Sequence, residues 1–585
     1  MKTPPSYPFK LRVTSYKLRV TSYELRTPHT SYLIPLFAFC FLLFCFSAFT
    51  QNPNCYRITF SDKNNSPYSV NRPEEFLSQR AIAKRERFNI PVIEQDLPVN
   101  PQYLEAILTF SSEPSQIISN SKWDNSVVIF YPETENCHPI IADMINSFSF
   151  VIDTLPVAYY KLPLGKSIHK GMPTNLPKAD VNLYSSCDYD YGNSIENINI
   201  HNGQFLHKAG FCGEEMLICA IDGEWDGFDT ISYFKPLYQN GQIWGTRDLV
   251  PGVNNVYFGK NGHGTFVTSE MASAMDGKMV GSAPKANYYF IRPENVWSEQ
   301  LVEEDFWAYA AEIADSLGAD VVTSSVGYIY FDYEWQNLYT QEDNNGISSI
   351  ASRSASILAQ KGVIVVKSAG NEGITEWHYI TRPADAFNIL AVGMVSPSGV
   401  VDSWSSYGPS ADGRIKPDVA SVGAPAWGVF SDGSIGKTGG TSMAAPIIAG
   451  LSACLWQALP QYSALELMQL IREYGDSYNN PNDRIGYGIP DFYQCYLDHH
   501  IGVMEHKASD ILVYPNPTTG NLRVTSYKLQ VTDVELFDVY GRKQKAECRK
   551  QNAEWILDLS NLKDGIYFVI IKTENSFVTK KIVKY

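Results

Sequence analysis

Residues 439–456 read GGTSMAAPIIAGLSACLW. Small residues surround one hydroxyl, Ser442, and an apolar run from Ile447 to Trp456 follows. The pattern predicts a helix with Ser442 at its amino terminus. The first N–H groups of a helix have no acceptor within it, so they can face a developing negative charge. Gly439 and Gly440 let another backbone approach closely. Taken alone, the stretch also fits a serine cap on a buried helix.

Three upstream stretches bear on that choice. Asn261-Gly262-His263-Gly264-Thr265 sets a histidine between two glycines, ahead of a helical pattern at Val267–Met275. Serine is a weak nucleophile and needs a base within hydrogen-bond reach, and imidazole is the natural base near neutral pH. Leu217-Ile218-Cys219-Ala220-Ile221-Asp222-Gly223 ends an apolar strand on a carboxylate. Such a group can hold the imidazole tautomer and stabilise the imidazolium. Asp226 and Asp229 are nearby rivals, but only Asp222 lies directly at the strand end. Ser368-Ala369-Gly370-Asn371-Glu372-Gly373 follows another apolar run and offers a carboxamide donor for an oxyanion.

Between about Ser185 and Leu497, strand and helix patterns alternate. Expected strands are Met216–Ile221, Ala286–Arg292, Ala319–Ser324, Gly362–Lys367 and Ile389–Val395. An amphipathic helix is expected at Glu303–Leu317, with Phe306, Ala310, Ile313, Ala314 and Leu317 on its buried face and Gly318 as a stop. This predicts an α/β unit, a parallel sheet with helices on both faces.

Together these motifs resemble the subtilisin-like serine peptidase family. The order Asp222, His263, Ser442 is that family's order, and H-G-T and G-T-S-M-A-x-P are specific to it. The resemblance implies peptide-bond hydrolysis through an acyl-enzyme on Ser442. His263 would be the base, Asp222 its orienter, and Asn371 with the Ser442 N–H the oxyanion donors. It also implies that Ser325-Val326-Gly327 and Ser368-Ala369-Gly370 line the substrate pocket. No cofactor is required. Family members often bind structural calcium, but no metal-ligand loop is legible. Two positions depart from the family pattern. Gly223-Glu224 follows Asp222, where Thr or Ser and then Gly is usual, and Phe266 follows H-G-T, where many members have His. An α/β-hydrolase would instead show G-x-S-x-G and the order Ser, Asp, His. A catalytically dead surface-binding relative is the alternative reading, and the complete set of four motifs weighs against it.

The flanks extend the reading. Basic residues at Lys2, Lys10, Arg12, Lys17, Arg19 and Arg26 precede an apolar run, Leu33–Phe49, so residues 1–50 read as an export signal cleaved before Gln51. No stable membrane span is expected after its removal. Residues 51–155 read as a small α+β prodomain, with strands at Tyr56–Phe60, Ser126–Tyr131 and Phe148–Ile152 and helices at Pro73–Phe88 and Pro139–Ser147. A linker follows at Pro163–Pro177. A protease must be held inactive during export, so self-cleavage is expected between about Asp153 and Asp190. The peptidase unit spans 185–500. Residues 510–585 read as a small β-sandwich, with strands at Val534–Tyr540, Glu554–Leu559, Ile566–Lys572 and Phe577–Lys584. Its Tyr514-Pro515-Asn516-Pro517, Val539-Tyr540-Gly541-Arg542 and Leu562–Tyr567 resemble the sorting domain of the Bacteroidetes type IX secretion pathway. That implies secretion machinery as a partner and export through the periplasm and outer membrane, to a secreted or cell-surface location.

L-R-V-T-S-Y occurs at Leu11–Tyr16, Leu18–Tyr23 and Leu522–Tyr527. These copies are too short to stack as structural repeats, so they read as functionless insertions, the third interrupting the sorting domain. Cys40 and Cys45 lie in the apolar run, and Cys55, Cys137, Cys187, Cys212, Cys219, Cys454, Cys495 and Cys548 remain. Export permits disulfides. By position alone, Cys187–Cys212 and Cys55–Cys137 are pairs to test, while Cys219 reads as a buried thiol. The formal charge of −15 speaks against nucleic acid and names no substrate; protein or peptide substrates are what the family resemblance implies.

Overall fold

The computed structural model describes residues 52–132, 136–160, 187–251, 255–259, 261–500, 511–526, 531–538, 542–551, 554–573 and 577–585. The expected export signal, linker and first two repeat copies lie outside these residues.

The centre is a seven-stranded sheet. In spatial order its strands are Val419–Val422, Leu390–Val395, Ile364–Ser368, Val321–Ser324, Leu217–Ile221, Asn287–Arg292 and Ile243–Asp248, all parallel. The five expected strands are all in it. The two edge strands, Ile243–Asp248 and Val419–Val422, were not expected, since neither carries a long apolar run. Leu217–Ile221 comes first in the chain and sits inside the sheet. Later strands add to one side of it and then to the other. The chain therefore reverses direction beside it, and in open α/β sheets ligands bind outside the carboxyl ends of strands at such a reversal.

Two helices carry the expected chemistry to that edge. His263–Ala272 begins on His263, and Thr441–Ala458 begins one residue before Ser442. The second is apolar on all sides and buried along its length except at Gln457, as expected of a helix through the middle of a core.

The propeptide-like region forms an antiparallel sheet in the order Gln116–Ser121, Ser126–Phe130, Cys55–Phe60, Val151–Ala158. The last strand starts later than expected, because Phe148 ends the preceding helix and stacks against Phe150. Gln116–Ser121 was missed because polar residues dilute its pattern.

The helix expected at Glu303–Leu317 runs Val302–Leu317, and here the reading of an amphipathic helix is corrected. All sixteen of its residues are buried. The propeptide-like region covers its acidic face. The Arg57 guanidinium holds both Asp305 oxygens at 2.5 and 2.8 Å. Glu312 accepts from the Ser121 hydroxyl and from the Lys122 and Trp123 N–H groups at 2.7–3.0 Å. Asp315 is paired with Arg85 and Lys122. Breaking such a buried pair from one side costs about 3–5 kcal/mol. In the full chain, Arg57→Ala is therefore expected to loosen this amino-terminal region by about that amount, read as earlier urea unfolding and faster protease nicking of residues 53–160.

The carboxyl-terminal residues form a four-stranded and a three-stranded antiparallel sheet. The third repeat copy does not interrupt them. Asn521–Ser526 is an inner strand of the first sheet, with Leu522 and Val524 fully buried. L-R-V-T-S alternates apolar and polar, which suits a half-buried strand.

Candidate active site

Asp222 follows the last residue of the Leu217–Ile221 strand and is 1% exposed. Its Oδ1 meets His263 Nδ1 at 2.6 Å and accepts the Gly223 N–H at 2.8 Å. Oδ2 is buried without a hydrogen-bond partner among the described residues. Burial pulls the His263 imidazolium down. The Asp222 charge, the hydrogen bond to it and the Glu294 charge overcome this, so His263 titrates above its ordinary value. The other side of the ring reaches solvent, with 29% of the side chain exposed.

The unusual Gly223-Glu224 has a local cause. A Cβ on Gly223 would press on Val296 at 3.0 Å. Glu224 is buried, and its backbone carbonyl accepts the Gly264 N–H at 2.8 Å while its carboxylate accepts the Asn261 N–H at 3.3 Å. One residue thus ties down both sides of His263. Gly264 must be glycine, because a Cβ there would sit 2.7 Å from that same carbonyl. Phe266, the second departure, is buried against Phe430, with ring centroids 4.9 Å apart.

Ser442 is 8% exposed, and its hydroxyl donates to the Ser325 carbonyl at 3.2 Å. Pro446 has no N–H, so the Ser442 carbonyl loses its partner within the helix. The Ser325 hydroxyl donates to it at 2.9 Å instead. The proline thus lets the Ser442 turn dock on the strand end. The two helices bearing His263 and Ser442 pack against each other.

Asn371 is fixed by its neighbour. Its Oδ1 accepts the Thr441 N–H at 2.9 Å and the Thr441 hydroxyl at 3.1 Å, and that hydroxyl accepts the Gly370 N–H at 3.1 Å. A backbone N–H can only donate, so the amide is oriented with Nδ2 outward. Among the described residues Nδ2 meets no acceptor. Beside it opens a pocket of about 480 Å³ lined in part by Met394, Trp404, Gly423 and Gly440. Of the expected pocket residues, Val326 is half-buried and Gly327 exposed, while Ser325, Ser368, Ala369 and Gly370 lie beneath the surface.

Sequence reasoning missed two titratable neighbours of the Asp222–His263 pair. Lys367, 1% exposed, donates to the Ser368 carbonyl and hydroxyl, and burial pulls it down to about 7. Burial, with the Asp222 charge behind it, pushes Glu294 up to about 7 against the Tyr328 hydrogen bond. A lysine inside an apolar strand was the available signal. Glu294, Glu299 and Glu303 bring carboxylate oxygens within 4.8 Å of one another. These are the residues that could hold a hard cation.

Residues 180–488, more than half of the chain, match the model of the subtilase family, Peptidase S8. The chain belongs to the subtilase family. Residues 55–166 of this subtilase match the Peptidase S8 propeptide domain of Bacteroidota, and residues 512–585 match a secretion system C-terminal sorting domain. The chain thus carries a subtilase domain flanked by a propeptide match and a sorting-domain match. It is 24% identical to M-protease of Shouchella clausii over 47% of this chain and 63% of that one. It is 27% identical to serine protease AprX of Bacillus subtilis over 49% and 66%, and 24% identical to subtilisin BL of Lederbergia lenta over 47% and 89%. The match thus spans less than two thirds of the first two relatives. Among solved structures, MycP1 from Mycobacterium smegmatis is 18% identical with a TM-score of 0.41, covering 55% of this chain and 87% of that one. Among the described residues no helix is long and apolar enough to cross a membrane.

Proposed function

We propose that this subtilase is an exported serine endopeptidase that hydrolyses peptide bonds in proteins through an acyl-enzyme on Ser442. The observation that carries this reading is the 2.6 Å Asp222–His263 pair, at the start of a helix packed against the one that bears Ser442. When substrate enters, the Ser442 hydroxyl leaves the Ser325 carbonyl and turns to His263 Nε2. His263 takes its proton as Oγ attacks the carbonyl carbon. The oxyanion is met by Asn371 Nδ2 and the Ser442 N–H. The imidazolium, held by Asp222, gives its proton to the leaving amine. Water then attacks the acyl-enzyme by the same proton path in reverse. Each step is served by side chains and backbone of this chain, so the reading calls for no cofactor.

Val326 and Gly327 form the accessible edge for the substrate backbone, and the buried Ser368–Gly370 turn supports it. The precursor is cleaved between the two family matches, within 166–180. The Asp153 end of the expected interval is disfavoured, since Val151–Ala158 is a strand paired with Cys55–Phe60. Residues 510–585 hand the protein to the secretion machinery, by way of the periplasm and outer membrane.

Fluorophosphonate labelling of the processed protein tests this reading, with label expected on Ser442. Failure of the processed protein to label would favour the surface-binding alternative. Asn371→Leu is expected to lower kcat by about 10²–10³ with KM little changed, because the donor acts on charge that develops only in the transition state. An equal loss confined to KM would remove Asn371 from that role.

A further inference from the structure

Among the described cysteines, Cys187 and Cys212 stand apart. Both are buried, and their thiols hydrogen-bond to each other. The other expected pair does not behave this way. Cys55 donates to Asn54 Oδ1 and Cys137 to the Pro53 carbonyl. Cys454 is buried nearby but donates to the Ser282 carbonyl at 3.2 Å.

Both residues of the Cys187–Cys212 pair contact one anchored carboxylate, Cys187 through its thiol and Cys212 through its backbone N–H. Glu214 faces Cys187 Sγ at 3.9 Å and accepts the Cys212 N–H at 3.4 Å. Lys285 Nζ at 3.0 Å and Gln457 Nε2 at 2.8 Å hold that carboxylate in place. Cys212 belongs to the body of the peptidase, because its carbonyl accepts the Lys285 N–H and the next residue's N–H donates to Gln457. Cys187 lies just past the boundary between the propeptide and peptidase matches. Its own segment is also held by Asp190 with Asp276 and Gly277, by Gly192 with Met279, by Tyr191 with His207 and by Ser194 with Val280.

We propose that Cys187 and Cys212 form a disulfide that staples the amino-terminal segment of the processed enzyme to the peptidase body. Cutting the chain ahead of Cys187 creates a free end, and a cross-link there keeps it from fraying. The pair is poised for thiol exchange. Contact with Cys212 and the Lys285 ammonium hold the Cys187 thiol below its usual range, against burial and Glu214, while burial pushes Cys212 up. Cys187, 8% exposed where Cys212 is fully buried, is the thiol that a donor can reach first. It displaces one sulfur of a disulfide donor in the export compartment, giving a mixed disulfide and one thiol. Cys212 loses its proton and attacks the Cys187 sulfur, releasing the second thiol. The two cysteines lose two electrons and two protons, and the donor's disulfide is reduced to two thiols.

The test is peptide mapping of the secreted, processed protein, purified without reductant and alkylated in denaturant. The Cys187 and Cys212 peptides are expected to be joined, and to take up label only after reduction. Alkylation of both before reduction, or linkage of either to Cys454, overturns the proposal. Cys187→Ser is expected to keep wild-type kcat/KM at 25 °C but to inactivate on heating on the order of tenfold faster. Reductant should bring the wild type to the same rate and leave the variant unchanged. The same link is expected in the uncleaved Ser442→Ala precursor, so failure of the self-processing reading would not remove it.

Discussion

Ser442→Ala is expected to lower turnover of casein by on the order of 10⁶, the loss known for removing this nucleophile from a subtilisin. The size follows from what remains. Asn371 and the Ser442-position N–H still bind the carbonyl, but no atom is left to form the acyl bond. Binding is expected to persist, so KM for a slow peptide substrate should change little. The substitution removes one hydroxyl whose partner in this structure is the Ser325 carbonyl, so thermal stability should shift by only about 0.5–1.5 kcal/mol. The precursor should accumulate uncut when no other protease is present. Maturation of the Ser442→Ala protein identical to wild type would sink self-processing, while residual casein turnover near wild type would sink the nucleophile.

Asp222→Asn is expected to cost about 10⁴ in kcat. An amide turned toward His263 Nδ1 would donate to it. That forces the other tautomer, with Nε2 protonated and unable to take the Ser442 proton. The pH profile supplies a second reading. His263 acts as a base only when neutral, and in the wild type it titrates above the ordinary value of about 6.5. Wild-type kcat/KM should therefore fall as pH drops through a value above about 6.5. Asp222→Asn removes two of the causes that raise it and leaves burial, which lowers it. The acid limb should move to lower pH in the variant. A limb that stays in place would show that Asp222 does not carry the charge facing the imidazole, and Asp226 or Asp229 would have to be reconsidered.

What could be read from the chain alone depended on whether a residue's role was local. Asp222 at a strand end, His263 between glycines and Ser442 at a helix start each follow from short-range pattern, because strand ends and helix starts are set by neighbours in sequence. The five inner strands of the central sheet were legible for the same reason, being continuous apolar runs buried on both sides. The third L-R-V-T-S-Y copy was misread because repetition was given more weight than its alternation, which places Leu522 and Val524 in a core.

Other features had no local signature. Glu303, Glu304, Asp305, Glu312 and Asp315 looked like the wet face of a helix, yet they are buried. Asp305, Glu312 and Asp315 find their partners in Arg57, Ser121–Trp123 and Arg85, about two hundred positions earlier, while Glu303 and Glu304 are held from within the peptidase by Asn295, Gln300, Tyr339 and Arg382. Lys367 and Glu294 influence the triad because separate strands converge at one sheet edge.

Gly223-Glu224 shows the division most clearly. In the chain it was an unexplained departure after Asp222. In the fold, a side chain at Gly223 would crowd Val296, and Glu224 ties down both flanks of His263. The sequence by itself determined the family, the parallel-sheet architecture and the identities of the four candidate catalytic groups. The tertiary structure alone decided how those groups are held and which charges face them. It alone also decided which cysteines meet, because each of these depends on atoms brought together from distant parts of the chain.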